Sequence, residues 1–449
     1  MITRLEVDGF KNLTQFTCDF SPYTCIAGPN AVGKSNLFDA LTFLSLCASK
    51  QFNDAALEVR GAEGQISDLF APGYDKLSFG VEMLLPATVT DEFGHATELE
   101  HTFLRYELDL ERQDGERGIP GAVGLKLARE ILEPLSEEHA RGNLGWVKWG
   151  GSFATSAFRF APITHRFIGT GDDVVDVWRD GVDPLSLPLD RPLGFSALSA
   201  VGRYDFPYVQ AAQQELRSWR TLALETSAMR APSVATAPDQ LNAVGGNLPK
   251  TFARLTDSGS DQAVVEDIVD SLRSLVDIRD MSLDFDQARQ VFTLYAQVGR
   301  GPMLPARSLS DGTLRFLALS LIYFDPEARG VVCLEEPENG IHPRKIGEMY
   351  RLLRDIAVDP DHPVCDSNPL RQVIVNTHSL GYIHQHRDNP GSLLLASTRP
   401  GTRFLKLSPV RTAGTWRSNT ADDVPFAVVS EMMEESLHGV GFGAWEASG

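Results

Sequence analysis

Basic residues are in deficit along this chain of 449 residues: 41 Lys and Arg stand against 60 Asp and Glu, a formal charge of −19. That balance excludes a surface coated with cations for nucleic acid, although it is compatible with a local basic groove. Long apolar runs are missing too. No stretch approaches the ~18 consecutive apolar residues of a membrane-spanning helix. The opening Met1–Leu13 is polar and strand-like, with no hydrophobic core of a signal peptide, so a cytoplasmic location is expected. Cysteine is scarce. Cys18, Cys25, Cys47, Cys333 and Cys365 form no C-x-x-C pair, which speaks against structural zinc and for reduced, mostly buried thiols. No fixed-period repeat occurs, and no heptad run is long enough for a coiled coil. The remainder, 43% hydrophobic and 22% charged, is an ordinary globular composition. At ~150 residues per domain the length suits two or three domains.

Periodicity gives the organisation. Residues 2–8 and 23–27 read as short strands flanking a turn, and residues 36–48 as a helix. Residues 77–110 alternate apolar and polar, which predicts antiparallel strands. A turn or exposed loop is expected at 112–121, a Pro- and Gly-rich connector at 180–194, a helix over 208–229 and a further loop at 231–249. An amphipathic helix is predicted over 261–278, followed by a hairpin over 281–298. Beyond 307 the runs Gly330–Leu334 and Arg371–Val375 have the continuous apolar character of buried parallel strands. The two ends therefore read as one α/β unit, interrupted by a mixed α+β insert.

Four motifs carry chemistry. Gly28-Pro29-Asn30-Ala31-Val32-Gly33-Lys34-Ser35 is a full match to G-x-x-x-x-G-K-[ST], with a strand before it and a helix after it. Glycines let such a loop curl so that its backbone N–H groups surround phosphates, and the helix start adds a favourable dipole. Lys34 would reach the β/γ-phosphates and the Ser35 hydroxyl would bind Mg²⁺, with Asn36 opening the helix. A bare glycine turn between strand and helix is the bland alternative. Glu335 and Glu336 end an apolar strand, where α/β sheets place their ligands. One carboxylate can hold Mg²⁺ while its neighbour orients water; a solvated strand terminus is the alternative. Ser310 and Gly312, before a long apolar helix pattern, offer a second anion-binding end, although Ser is a favoured helix cap regardless of function. His378 closes another strand, where an imidazole can bond a phosphate or the attacking water.

In this order the four motifs resemble the nucleotide-binding head of ABC-type ATPases: Walker A, signature, Walker B and switch histidine. The wide gap between Ser35 and Ser310 resembles the branch that holds the structural-maintenance-of-chromosomes (SMC) heads, RecF and the OLD nucleases. Leu5–Asn12 is similar to that branch's first strand and turn, and Leu334–Pro343 to the Walker B of compact bacterial predicted ATPases. The resemblance implies an α/β head built from residues 1–75 and 301–420, with an insert at 76–300 acting as lid, dimer surface or partner dock, and an acidic tail at 421–449. It implies ATP and Mg²⁺, with Gly28–Asn36 holding phosphates and Ser35 and Glu335 the metal. Glu336 would be the general base, and His378 the switch. Ser310 and Gly312 would cap the γ-phosphate of ATP bound to a second subunit. Gln65 is the candidate Q-loop glutamine near the metal. Glu335 stands where the family usually has Asp, which is compatible with slow hydrolysis or an indirect metal contact.

The resemblance further implies an ATP-driven switch, a homodimer or higher homo-oligomer, working on DNA or on an effector such as a nuclease encoded nearby, in anti-phage defence or DNA repair. A non-catalytic ATP-dependent scaffold holding a toxic partner is the alternative. OLD-type nucleases carry a later Asp-x-Asp in a Toprim domain; none follows His378, so nuclease chemistry is not expected on this chain. Two further segments invite binding. The tail holds Asp422, Asp423, Glu431, Glu434, Glu435 and Glu446 without Lys or Arg, so a solvated end or a protein dock is expected. Arg203, Arg217, Arg220 and Arg230 near Tyr204, Tyr208 and Trp219 could grip a single strand, or simply pack and solvate.

Overall fold

A computed structural model of the chain describes residues 1–59, 65–91, 93–114, 123–163, 165–179, 182–189, 192–201, 205–257, 261–411 and 423–437. Arg203, Tyr204, most of the loop expected at 112–121, Asp422 and Glu446 lie outside these residues.

One sheet carries the motifs. Its spatial order is Arg220–Leu222, Gly330–Glu335, Arg371–Thr377, Tyr23–Ala27, Leu393–Thr398, Leu405–Arg411 and Val424–Pro425. The first five strands run parallel, and Leu405–Arg411 returns antiparallel. The central strands are buried on both faces, which is why they read as unbroken apolar runs. Alternation sends Ile26, Val331, Cys333 and Ile374 into one core and Cys25, Ala27, Val332, Leu334, Val373 and Val375 into the other.

The first core lies beneath an eight-stranded antiparallel sheet of order Val182–Pro188, Val174–Arg179, Ile168–Thr170, Val123–Pro134, Phe103–Asp114, Lys76–Leu84, Ile2–Asp8 and Phe16–Asp19. The helix Lys34–Cys47 packs into that core through Leu37, Phe38, Leu41 and Leu44, a three-and-four spacing that keeps one stripe apolar. The second core is closed by the helices Leu248–Asp257, Asp261–Val276, Asp311–Phe324 and Ile346–Ile356. The hairpin Ile278–Asp286 and Val291–Val298 forms as expected. Four of the five cysteines are buried thiols, and Cys365 is exposed.

Three expectations need correction. Residues 182–188 form an edge strand rather than a connector; Pro184 and Pro188 sit where a sheet edge tolerates a missing N–H. The helix predicted over 208–229 ends at Arg217, and Arg220–Leu222 then joins the motif-bearing sheet beside Gly330–Glu335. The described part of the tail is not simply solvated: the helix Phe426–Leu437 lowers Val429 and Met433 into the second core. Of the two alternatives for the 203–230 segment, the described aromatics Tyr208 and Trp219 take the packed one. Tyr208 stacks on Phe167 at 4.1 Å, and the buried Trp219 donates its indole N–H to Glu215.

Candidate functional site

The carboxyl ends of three adjacent parallel strands converge. Tyr23–Ala27 delivers the chain into Gly28, whose N–H donates to the Thr377 carbonyl at 3.2 Å. A side chain at Gly28 would meet the Ala396 carbonyl at 2.6 Å, so the neighbouring strand leaves no room for one. The loop turns through left-handed backbone at Ala31 (φ 65°) and Gly33 (φ 95°) before the helix starts at Lys34. No side chain caps that helix, and its first turn contains no acid. No side chain among the described residues therefore competes with an anion for the N–H groups at this helix start.

Lys34 is buried, and its Nζ donates to the Gly28 and Pro29 carbonyls, each at 2.8 Å. Burial pushes the ammonium below its ordinary value, while the charges of Glu336 and Glu335 pull it back. The lysine and both carboxylates therefore share one electrostatic neighbourhood. Glu335 ends its strand opposite Asn376.

Glu336 follows in left-handed backbone, φ 47°, a conformation that costs a non-glycine residue about 1–3 kcal/mol. Three contacts hold it there. Its N–H donates to the Asn376 carbonyl at 2.9 Å, Asn339 Nδ2 donates to its Oε2 at 2.6 Å, and His378 Nδ1 lies 2.5 Å from its Oε1. The strained turn brings a carboxylate off the strand and onto the histidine of the next strand.

Ser310 and Gly312 stand on a separate turn. Ser310 caps the helix Asp311–Phe324, accepting from Thr313 N–H at 3.2 Å, and is exposed. A side chain at Gly312 would touch the Gly340 carbonyl and Ile341 at 3.5 Å. Arg230 is engaged within the chain: its Nη2 donates to Asp311 Oδ1 at 2.7 Å and to the Leu309 carbonyl at 3.1 Å. Gln65 is exposed before the short 3-10 turn Ile66–Leu69, whose Leu69 carbonyl accepts from Lys11 N–H at 2.8 Å.

Two residues escaped sequence reasoning. Asn12 clamps the phosphate-type loop from the first strand–turn unit. Its Nδ2 donates to the Val32 carbonyl at 3.1 Å, its Oδ1 accepts from Asn36 Nδ2 at 2.8 Å, and its own carbonyl accepts from Leu405 N–H at 3.0 Å. Lys11 beside it pairs with Asp39 on the loop's helix at 2.8 Å. Asn339 is the second, three residues beyond Glu336 in a turn. Both lie within stretches the sequence singled out, but their roles depend on partners that only folding brings together.

The donor set fits a magnesium nucleotide. A lysine, a loop of backbone N–H groups, a hydroxyl at the helix start and two carboxylates supply cationic and oxygen ligands of the kind polyphosphate and Mg²⁺ take. Among the described residues no group of three His, Cys, Asp or Glu side chains could hold a metal unaided. No helix among them is long and apolar enough to cross a membrane.

Strand order, loop and paired carboxylates together describe a P-loop ATPase head of the ABC type. A family model described as "AAA domain, putative AbiEii toxin, Type IV TA system" matches residues 23–123 and 221–383, more than half of the chain. The chain belongs to that family, within the SMC/RecF-like branch of these ATPases. It is similar to the DNA replication and repair protein RecF of Porphyromonas gingivalis, 37% identical over 86 residues, which is 19% of this chain and 23% of that one. RecF of Phocaeicola vulgatus is 42% identical over 50 residues, 11% of this chain and 14% of that one. The chain thus spans under a quarter of the length of these relatives. Among solved structures, an SMC head bound to the C-winged helix domain of ScpA aligns over 90% of this chain and 97% of its own, at 12% identity and a TM-score of 0.48. The SMC head domain from Thermotoga maritima aligns over 92% and 99%, at 13% identity and a TM-score of 0.39. The fold assignment rests on the family match and the strand order.

Proposed function

We propose that the protein is an ATP-hydrolysing molecular switch whose two copies, or more, close around ATP. The observation that carries this reading is the Glu336–His378 contact, held at the strand ends where both carboxylates act on Lys34. Lys34 and the Gly28–Asn36 backbone would bind the phosphates. Ser35 and Glu335 would hold Mg²⁺, which when bound neutralises charge on the β- and γ-oxygens. Glu336 would take the proton of the attacking water, with Asn339 and His378 fixing both of its oxygens.

Ser310 and Gly312 would act in trans. Ser310 is exposed at the start of its helix, so an anion carried by a second subunit, the γ-phosphate, is what it would meet. The differential affinity of ATP and ADP for the closed pair is what would drive a partner. In this reading residues 1–75 and 301–420 are the nucleotide lobes, and 76–300 is the lid, dimer surface or partner dock. DNA repair is favoured by the RecF similarity and a toxin–antitoxin or defence role by the family description, each with a separate effector as partner.

Glu335 supports one other reading. Its side chain is one methylene longer than the usual aspartate, which favours tight binding with negligible turnover, a scaffold rather than an engine. Light scattering with Mg²⁺ and ATP tests the switch: Glu336→Gln should double in mass, and Glu336→Gln combined with Ser310→Arg should stay monomeric. A Glu336→Gln protein that remains monomeric in saturating ATP contradicts the ATP sandwich.

A further inference from the structure

A third carboxylate lies beside the pair already described, and the mechanism above makes no use of it. Glu338 is 7% exposed. Its Oε1 accepts from the Thr377 hydroxyl, and its Oε2 is buried without a hydrogen-bond partner among the described residues. Thr377 is fully buried, and its hydroxyl accepts from Ser379 N–H at 2.9 Å. These bonds bracket His378: one residue before it and one after it are fixed through a single hydroxyl that Glu338 holds. The Thr377 carbonyl meanwhile accepts from Gly28 N–H, the first donor of the phosphate-type loop.

The turn that follows Glu338 approaches the helix that begins at Ser310. Gly340 and Ile341 lie where a side chain at Gly312 would touch them, and the Glu338 carbonyl accepts from Ile341 N–H at 2.9 Å. Arg315, one turn into that helix, has a buried Nε that likewise lacks a hydrogen-bond partner among the described residues. Burial pushes the Arg315 guanidinium down, and the Asp311 and Glu338 charges oppose this. Burial also pushes the Glu338 carboxyl above its ordinary value. A buried carboxylate oxygen and a buried guanidinium nitrogen, each without a hydrogen-bond partner among the described residues, thus lie on the two elements that meet where the signature turn touches the Walker B turn, where a purely structural core would favour apolar packing.

We infer that Glu338 is a positioning residue that ties the signature helix, through Arg315, to Thr377 and so to the alignment of His378 on Glu336. The inference rests on the ATPase reading and deepens it. The signature turn would touch one nucleotide while its own chain hydrolyses another, and Glu338 is the side chain through which the position of the helix reaches the base. Because it acts through Thr377 and not on the phosphates, its loss should lower kcat and spare nucleotide affinity.

The test is a double-mutant cycle of steady-state ATP turnover and ATP affinity on the full chain: wild type, Glu338→Gln, Arg315→Met and both together. Each single variant should lose about tenfold in kcat with affinity within about twofold, and the double should fall no further than either single. Thr377→Val should reproduce the loss, and Thr377→Ser, which keeps the hydroxyl, should restore the wild-type rate. Independent losses multiplying to about a hundredfold, a Thr377→Val protein at the wild-type rate, or a loss confined to affinity would overturn the inference. Absence of turnover in the wild type contradicts the ATPase reading itself, and the coupling with it.

Discussion

His378 Nδ1 stands 2.5 Å from Glu336 Oε1, a contact between residues far apart in sequence that neighbouring parallel strands bring to one edge. Both side chains are about one-third exposed or less, so water reaches the pair while the protein fixes its geometry. With the proton on Nδ1 the imidazole donates to the carboxylate, which is thereby oriented and kept as an acceptor. The left-handed backbone of Glu336 marks where the chain accepts strain to make this contact.

Asn12 should matter to nucleotide binding although it touches no phosphate in the proposed mechanism. Asn12→Ala removes the bonds to Val32 and Asn36 and frees the loop. Losing one or two such bonds costs about 1–2 kcal/mol, so KM for ATP should rise roughly tenfold with a smaller change in kcat. An unchanged KM in steady-state kinetics would contradict the clamp.

Arg371 is 2% exposed, and its guanidinium donates to the carbonyls of Ile322, Tyr323, Asp325 and Ala328, at and just beyond the end of the helix that starts at Ser310. Burial lowers it to about 10, still charged at neutral pH. Arg371→Met leaves those carbonyls without a partner. A loss of about 3 kcal/mol is expected in chemical denaturation, and a loss below about 1 kcal/mol would show that water replaces the guanidinium.

Glu130 gives a pH dependence of known sign. It is fully buried against the short helix Ala197–Ala200, and burial pushes it up to about 7 despite the Leu198 and Ala197 N–H groups and the Tyr106 hydroxyl. The folded chain therefore holds a proton that the unfolded chain has released between roughly pH 4.5 and 7. Stability from this group is present below that window and lost as pH rises through it. Relative to Glu130→Gln, the wild type should lose about 2–3 kcal/mol between pH 5 and 8. Denaturation curves that differ by a constant amount at all pH values would rule this out.

The chemistry of the site was legible in sequence because each part is local. A strand, a curled glycine loop and a helix lie within residues 23–47, and Glu336 and His378 each close an unbroken apolar strand. What escaped is held by distant partners. Asn12 meets Val32 and Asn36 only after folding, and Arg220–Leu222 becomes a strand because Gly330–Glu335 offers it an edge. Proline at 184 and 188 disguised an edge strand as a connector. Arginines and aromatics at 208–230 suggested a binding face, but burial of Tyr208 and Trp219 and the bond from Arg230 to Asp311 give them structural partners. Composition shows which groups are present, and tertiary contacts decide which of them are available.

The central claim is that Glu336, aligned by His378, is the base of an ATPase. Phosphate release by the purified protein tests it most directly, measured for wild type, Glu336→Gln and Lys34→Ala, with and without DNA. Wild type should turn over; Glu336→Gln should bind ATP and release phosphate at least about a hundredfold more slowly; Lys34→Ala should not bind. Glu336→Gln hydrolysing ATP at the wild-type rate would contradict the account.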